Sequence, residues 1–276
     1  MYGIIVFWAF MAALFVRHEI IPTLFDPPTR GYAGIRAYAQ THAAYKMDIT
    51  TEDGTNVGWA RVSYDVRKNG ECEIVSESEL KLASLARQPW LAKAAGALKW
   101  PKLWVRSHST IGPDGALQTF SVSFNADVIS GRAVGTVDGD TLKIKITSGG
   151  ETTEVVVPAT KGDFVSTGVM ALGALPDLHV EQTWRIRMLS PFAFEFTDAD
   201  VKVTKKTTIN LRGHDYDVFE VETTHDLVNV TTWVDDTGNV LRERVTMLGF
   251  ALISTRKPLP HEPPKSPDRA PAEPTP

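Results

Sequence analysis

From Tyr45 to Arg256 apolar and polar residues alternate with a period of two. Tyr45, Met47 and Ile49 alternate with Lys46, Asp48 and Thr50, and Ala60, Val62, Tyr64 and Val66 with Arg61, Ser63 and Asp65. The same holds for Phe120, Val122 and Phe124, for Leu142, Ile144 and Ile146, for Trp184, Ile186 and Met188, and for Val228, Val230, Thr232 and Val234. Successive side chains of a strand point to opposite faces, so this alternation predicts half-buried antiparallel strands. The segments between them are turn sequences: "EDGTN", "RKNGE", "GPDGA", "VDGDT", "TSGGE", "RGHDY" and "DDTGN". Asn-Gly and Asp-Gly tolerate the positive φ of tight hairpins. The pattern predicts a mainly β fold: one large curved antiparallel sheet of about ten or eleven strands, a barrel or half-barrel over residues 45–257.

Three segments depart from this period. Leu82–Trp104, "LASLARQPWLAKAAGALKWPKLW", is rich in Ala, Leu and Lys and reads as a helix punctuated by Pro89 and Pro101. Trp90, Leu91 and Leu98 fall near one helical face, and Trp100 adds a further indole. The segment suits either a plain cover over the sheet or an amphipathic lid at a membrane surface. Tyr2–Val16, "YGIIVFWAFMAALFV", is fifteen residues without a charge. As a helix it spans ~22 Å, short of the ~30 Å hydrocarbon core, and a snorkelling Arg17 lengthens the usable span. We read residues 1–25 as a transmembrane anchor and 26–44 as a linker with a short helix. A signal peptide would want a basic leader and a small-residue cleavage site, and neither is present. A buried N-terminal helix is the other reading. Lys257–Pro276 carries eight prolines and is expected to be a solvated, polyproline-like tail over 258–276.

Composition narrows the function classes. The chain has 276 residues, 43% apolar and 22% charged, with a net charge of −4. Acids and bases are mixed along it, without the basic stripe of a nucleic-acid surface. The single cysteine, Cys72, excludes an internal disulfide. It shares the apolar strand face of Ile74 and Leu80, opposite Glu73, Glu77 and Glu79, so it reads as a small core hydrophobe rather than a nucleophile.

Catalytic signatures are missing. The histidines, His18, His42, His108, His179, His214, His225 and His261, show no HxH, HxxxH or HExxH spacing. His214 and Asp215 suit a turn, although paired strands could gather His214, Asp215, Asp217 and His225. There is no GxSxG, P-loop or GxGxxG. We therefore expect a protein that is not an enzyme, with no cofactor and no metal. A curved sheet with large inward apolar residues can enclose an apolar cavity or be filled by its own side chains. The candidate lining residues are Phe120, Phe124, Leu142, Ile144, Trp184, Phe219 and Val230.

The stretches "LHVEQTWRIRML", "VTKKTTINLRGHDYDVFEVETT" and "NVTTWVDDTGNVLRERVTMLGFALISTRK", with "LWVRSHSTIGPDGALQTFSVSF" before them, resemble a bacterial domain of unknown function found in membrane-anchored proteins. That domain is similar in fold to the lipoprotein-carrier (LolA/LolB-like) half-barrel. The resemblance covers Tyr45 to Lys257 and carries over no catalytic residue. It implies a concave apolar face suited to acyl chains. It also implies a domain on the extracytoplasmic side of the inner membrane, where the Arg17 flank alone would favour the cytoplasm. With an anchor in place of a cleaved signal, a fixed role follows rather than shuttling. The expected function is a membrane-anchored periplasmic module that binds a lipid or other apolar ligand. The alternative is an envelope scaffold working through protein contacts. In the hairpin Thr231–Arg256, Leu241, Val245 and Met247 are expected to face the covered side and Arg242 and Arg244 the water.

Overall fold

The computed structural model describes residues 34–81, 84, 102–126, 130–159, 163–165, 175, 177–189, 196–225, 228–247 and 250–257. A short helix, α1 (Ile35–Thr41), precedes the strands. They are β1 (Ala44–Thr51), β2 (Asn56–Val66), β3 (Cys72–Leu80), β4 (Leu103–Ile111), β5 (Leu117–Asn125), β6 (Ser130–Asp138), β7 (Thr141–Ser148), β8 (Glu151–Pro158), β9 (Asp163–Val165), β10 (Thr183–Leu189), β11 (Phe196–Leu211), β12 (His214–His225), β13 (Val228–Asp235), β14 (Val240–Met247) and β15 (Phe250–Arg256). All fifteen belong to one sheet, so the expected ten or eleven strands was an undercount. The missed strands alternate poorly. β6 carries Gly131 and Gly135, and β8 and the long β11 run through charged and threonine-rich sequence.

The sheet order runs from β8 back through β7 to β1, then β15 down to β9. It is thus two meanders joined where β1 pairs antiparallel with β15, Met47 opposite Arg256 and Ile49 opposite Ser254. Neighbouring pairs are antiparallel except β9 with β10. The edge strands β8 and β9 do not pair with each other, and the sheet rolls without closing. β9 lies against β5, three strands in from the other edge. The Arg187 guanidinium of β10 donates to the Pro158 carbonyl of β8 at 3.5 Å. Only a few residues join β8 to β9, which holds the two edges within roughly 17 Å.

The inner face collects the core: Tyr45, Met47 and Ile49 of β1, Ala60, Val62 and Tyr64 of β2, and their counterparts around the roll. The hairpin expectation holds for Leu241 and Val245, both buried, and for Arg244, which is exposed. Arg242 instead lies half-buried over the Trp233 ring, 5.5 Å from its centroid. Met247 lies outside the residues whose side chains are described.

α1 caps one end of the roll. Ile35, Tyr38 and Ala39 turn into the core, and the Tyr38 hydroxyl donates to Asn239 Oδ1 at 2.8 Å. The Arg67–Gly70 turn sits beside the helix. Gly70 has φ +88°, and a Cβ there would meet the Arg36 guanidinium at 3.2 Å. Backbone conformation and close approach therefore both call for glycine.

Among the described residues no helix is long and apolar enough to cross a membrane. The proposed anchor Tyr2–Val16 and the tail 258–276 lie outside the described residues. So do Trp90, Leu91, Leu98 and Trp100 of the expected lid.

Candidate functional site

The lining candidates fall on two wings of the roll. Phe120 and Phe124 of β5 and Leu142 and Ile144 of β7 form the first. β6, between them, is narrow on its inner side, with Gly135 directly between Phe120 and Ile144. The Phe120 ring lies over Gly135 and the Phe124 ring over Gly131, so closely that a Cβ would come within 2.0 and 2.5 Å of ring carbons. These rings fill the space the missing side chains leave, and they fix the register of three strands.

Trp184, Phe219 and Val230 lie on the second wing. Trp184 opposes Val201, Val201 opposes Thr223, and Thr223 opposes Val230, so one inward row crosses β10 to β13. Phe219 lies two residues toward the capped end from Val221, half-buried, with Lys206 Nζ 5.2 Å from its ring centroid. Phe120, Leu142, Ile144 and Trp184 are each at most 2% exposed. Phe124 is only partly buried. With Leu103, Ile146 and Met188 it forms a set of partly accessible apolar residues toward the end of the roll opposite α1.

Between the wings runs a buried polar cluster that the sequence reading did not single out. Glu243 of β14 is fully buried and faces inward, opposite Ser254 on one side and Thr232 on the other. Arg256 is 7% exposed and donates through Nη1 to Asn239 Oδ1 at 2.7 Å, with its guanidinium 5.3 Å from the Tyr45 ring centroid. Asn239 Oδ1 thus accepts from Tyr38, Arg256 and no fixed backbone group, while its Nδ2 donates to Asp235 Oδ2 at 2.9 Å. Burial pushes the Tyr45 hydroxyl well above the usual phenol range, and Tyr38 and Glu243 add to the rise. Burial does the same for Tyr64. The hydroxyls of Thr223 and Thr232 have no hydrogen-bond partner among the described residues. The signal for Glu243 was available. In "VLRERVTM" it shares the odd-numbered face of Val245, and an acid in an inward register deserves the same reading as the valine beside it.

Little here can act as a catalyst. Cys72 is 1% exposed, and burial pushes its thiol up to about 11, with Asp65 adding to the rise. A thiol so placed stays protonated and is a poor nucleophile. His214 and His225 begin and end β12, so the strand separates them by roughly 36 Å rather than gathering them. Asp215 and Asp217 take part in the exposed β11–β12 ribbon, accepting from Asn210 at 2.7 Å and Thr208 at 2.8 Å. Among the described residues no three His, Cys, Asp or Glu side chains are grouped to hold a metal ion.

No protein-family model matches the chain, and no curated protein matches it. Two solved structures are similar in outline. One is a beta-barrel-like protein of domain of unknown function DUF1849 from Brucella abortus, 10% identical over 78% of this chain and 94% of that one, with a TM-score of 0.48. The other is the hypothetical lipoprotein YmcC from Escherichia coli, 12% identical over 82% of this chain and 89% of that one, with a TM-score of 0.25.

Proposed function

We propose that the chain is a non-enzymatic binding module that accepts an apolar ligand, of acyl-chain type, into the rolled sheet from the end opposite α1. On this reading residues 1–25 fix it in the inner membrane with the sheet on the periplasmic side, in the manner of a tethered LolA/LolB-like half-barrel. One observation carries it. Leu103, Phe124, Ile146 and Met188 stay partly accessible toward that end, while the apolar inner face behind them is continuous and buried. Exposed apolar surface leading into a buried apolar face is where a nonpolar ligand gains most, at ~25 cal/mol per Å² removed from water.

The test is native mass spectrometry of the full chain in detergent, with solvent extraction. A co-purifying apolar molecule near one per chain supports the reading, and Phe124→Glu should remove it while circular dichroism stays unchanged. A bare protein mass overturns it, and the scaffold reading then takes first place.

A further inference from the structure

The outer face of the sheet carries an ordered row. Reading across the registers, Trp233 opposes Arg242, Arg242 opposes Thr255, Thr255 opposes Asp48, Asp48 opposes Trp59, Trp59 opposes Glu79, and Glu79 opposes Trp104. Trp59 and Trp104 lie two strands apart, roughly 10 Å, on the outward side and half-buried. One pleat nearer the capped end runs a second outward row: Lys46, Arg61, Glu77, Arg106, Ser123 and Arg132. It holds four cations and one carboxylate in a chain whose net charge is −4. The acids of the indole row are already matched. Lys257 reaches Asp48 at 2.7 Å, Arg212 at the tip of the β11–β12 ribbon reaches it at 3.5 Å, and Lys102 reaches Glu79 at 3.4 Å. The face is therefore locally cationic on an acidic protein.

We propose that the outer face of β1–β6 docks on an anionic phospholipid surface, with the Trp59 and Trp104 rings at headgroup level and the Lys46–Arg132 row over the phosphates. The inference rests on the anchored reading of residues 1–25. Indoles favour the membrane interface because one part of the ring is apolar and the N–H is polar, and cations near an anionic leaflet are each attracted to it. Position agrees with chemistry. Gly34, where the described chain begins, and Lys257, where it ends, both lie at the capped end, the end nearer the basic row. The residues between Val16 and Gly34 span at most ~60 Å, so an anchored domain is held where this face can reach the bilayer.

The test uses the full chain in nanodiscs of phosphatidylcholine, with and without phosphatidylglycerol, and a headgroup spin label that quenches tryptophan emission. With phosphatidylglycerol, part of the quenching should disappear in Trp59→Phe/Trp104→Phe and in 1 M salt. That part should be absent in pure phosphatidylcholine. Arg61→Gln/Arg106→Gln, both exposed side chains, should weaken vesicle association by on the order of tenfold. Quenching unchanged by the double tryptophan variant, in chain that does enter the discs, overturns the docking and leaves the anchor standing. Chain that fails to enter the discs overturns the anchor, and the docking then stands or falls on flotation of the same chain with phosphatidylglycerol vesicles. Co-sedimentation with insoluble peptidoglycan that depends on Trp59 and Trp104, without lipid binding, overturns the lipid surface in favour of a glycan.

Discussion

Between β5 and β8 the inner face is built without a charge, whereas between β12 and β1 it holds Glu243, Arg256, Thr223, Thr232 and Ser254, all buried. The two regions solve different problems. β5 to β8 are consecutive hairpins, so turns set their neighbours and only the register must be refined. Phe120 over Gly135 and Phe124 over Gly131 refine it by shape. The join of β1 with β15 brings together residues about two hundred positions apart, where no turn helps. Directional contacts stand there instead: Tyr38 and Arg256 on Asn239, and Arg256 over Tyr45. A buried polar group costs several kcal/mol when its partner is missing, so a displaced register at this join is penalised more sharply than a displaced apolar one. That buried polar groups supply specificity here rather than net stability is a hypothesis, and the contrast can be tested at both regions.

The largest effect is expected at the polar join. Arg256→Ala removes the donor to Asn239 and the cation over Tyr45, and should cost about 3 kcal/mol in urea unfolding. A loss below ~1 kcal/mol would mean the join is held by the backbone ladder alone. Next is the apolar wing. Gly135→Ala puts a Cβ where the Phe120 ring lies and should cost about 2 kcal/mol. Adding Phe120→Leu should recover part of that cost relative to the sum of the single changes, and strict additivity would break the shape argument.

Alkaline pH should expose the buried acids of the region around β1–β3. The Cys72 thiol is raised to about 11, and Tyr45 and Tyr64 are raised too, so the folded state holds these protons longer than the unfolded chain. Stability is therefore fully present below pH 8 and falls from about pH 9 upward, at up to ~1.4 kcal/mol per pH unit for each group. Urea midpoints from pH 7 to 10.5 check the sign, and a flat profile would contradict it. The smallest effect is expected at Thr232→Val. Its hydroxyl is buried without a partner among the described residues, so removing it at nearly constant volume should leave thermal stability unchanged or slightly higher. A clear loss would show that the hydroxyl is bonded in solution.

Much of the local structure could be read from the chain. The faces of β1, β2, β5, β7, β10 and β13 follow from alternation, because the period of two is a property of each strand alone. Cys72 was placed in the core on the same ground. The strand count failed where alternation gave way. Gly131 and Gly135 look like breaks until Phe120 and Phe124, on the neighbouring strand, fill the space above them. Of the site, the residues of each wing were legible, but Glu243 and Arg256 were missed because the charges outweighed the register in the reading.

The sequence by itself determined which way nearly every described strand residue points, where the hairpins turn, and that Glu243 must share a face with Val245. These depend on backbone geometry within a few residues. Only the tertiary structure decided which distant strands meet. The pairing of β1 with β15 sets the two inward wings around one polar cluster and lines up Trp59, Asp48 and Trp233 in one outward row. Register between strands two hundred residues apart is a property of the whole rolled sheet, fixed by the sum of its pairings and its buried contacts, and no local period encodes it.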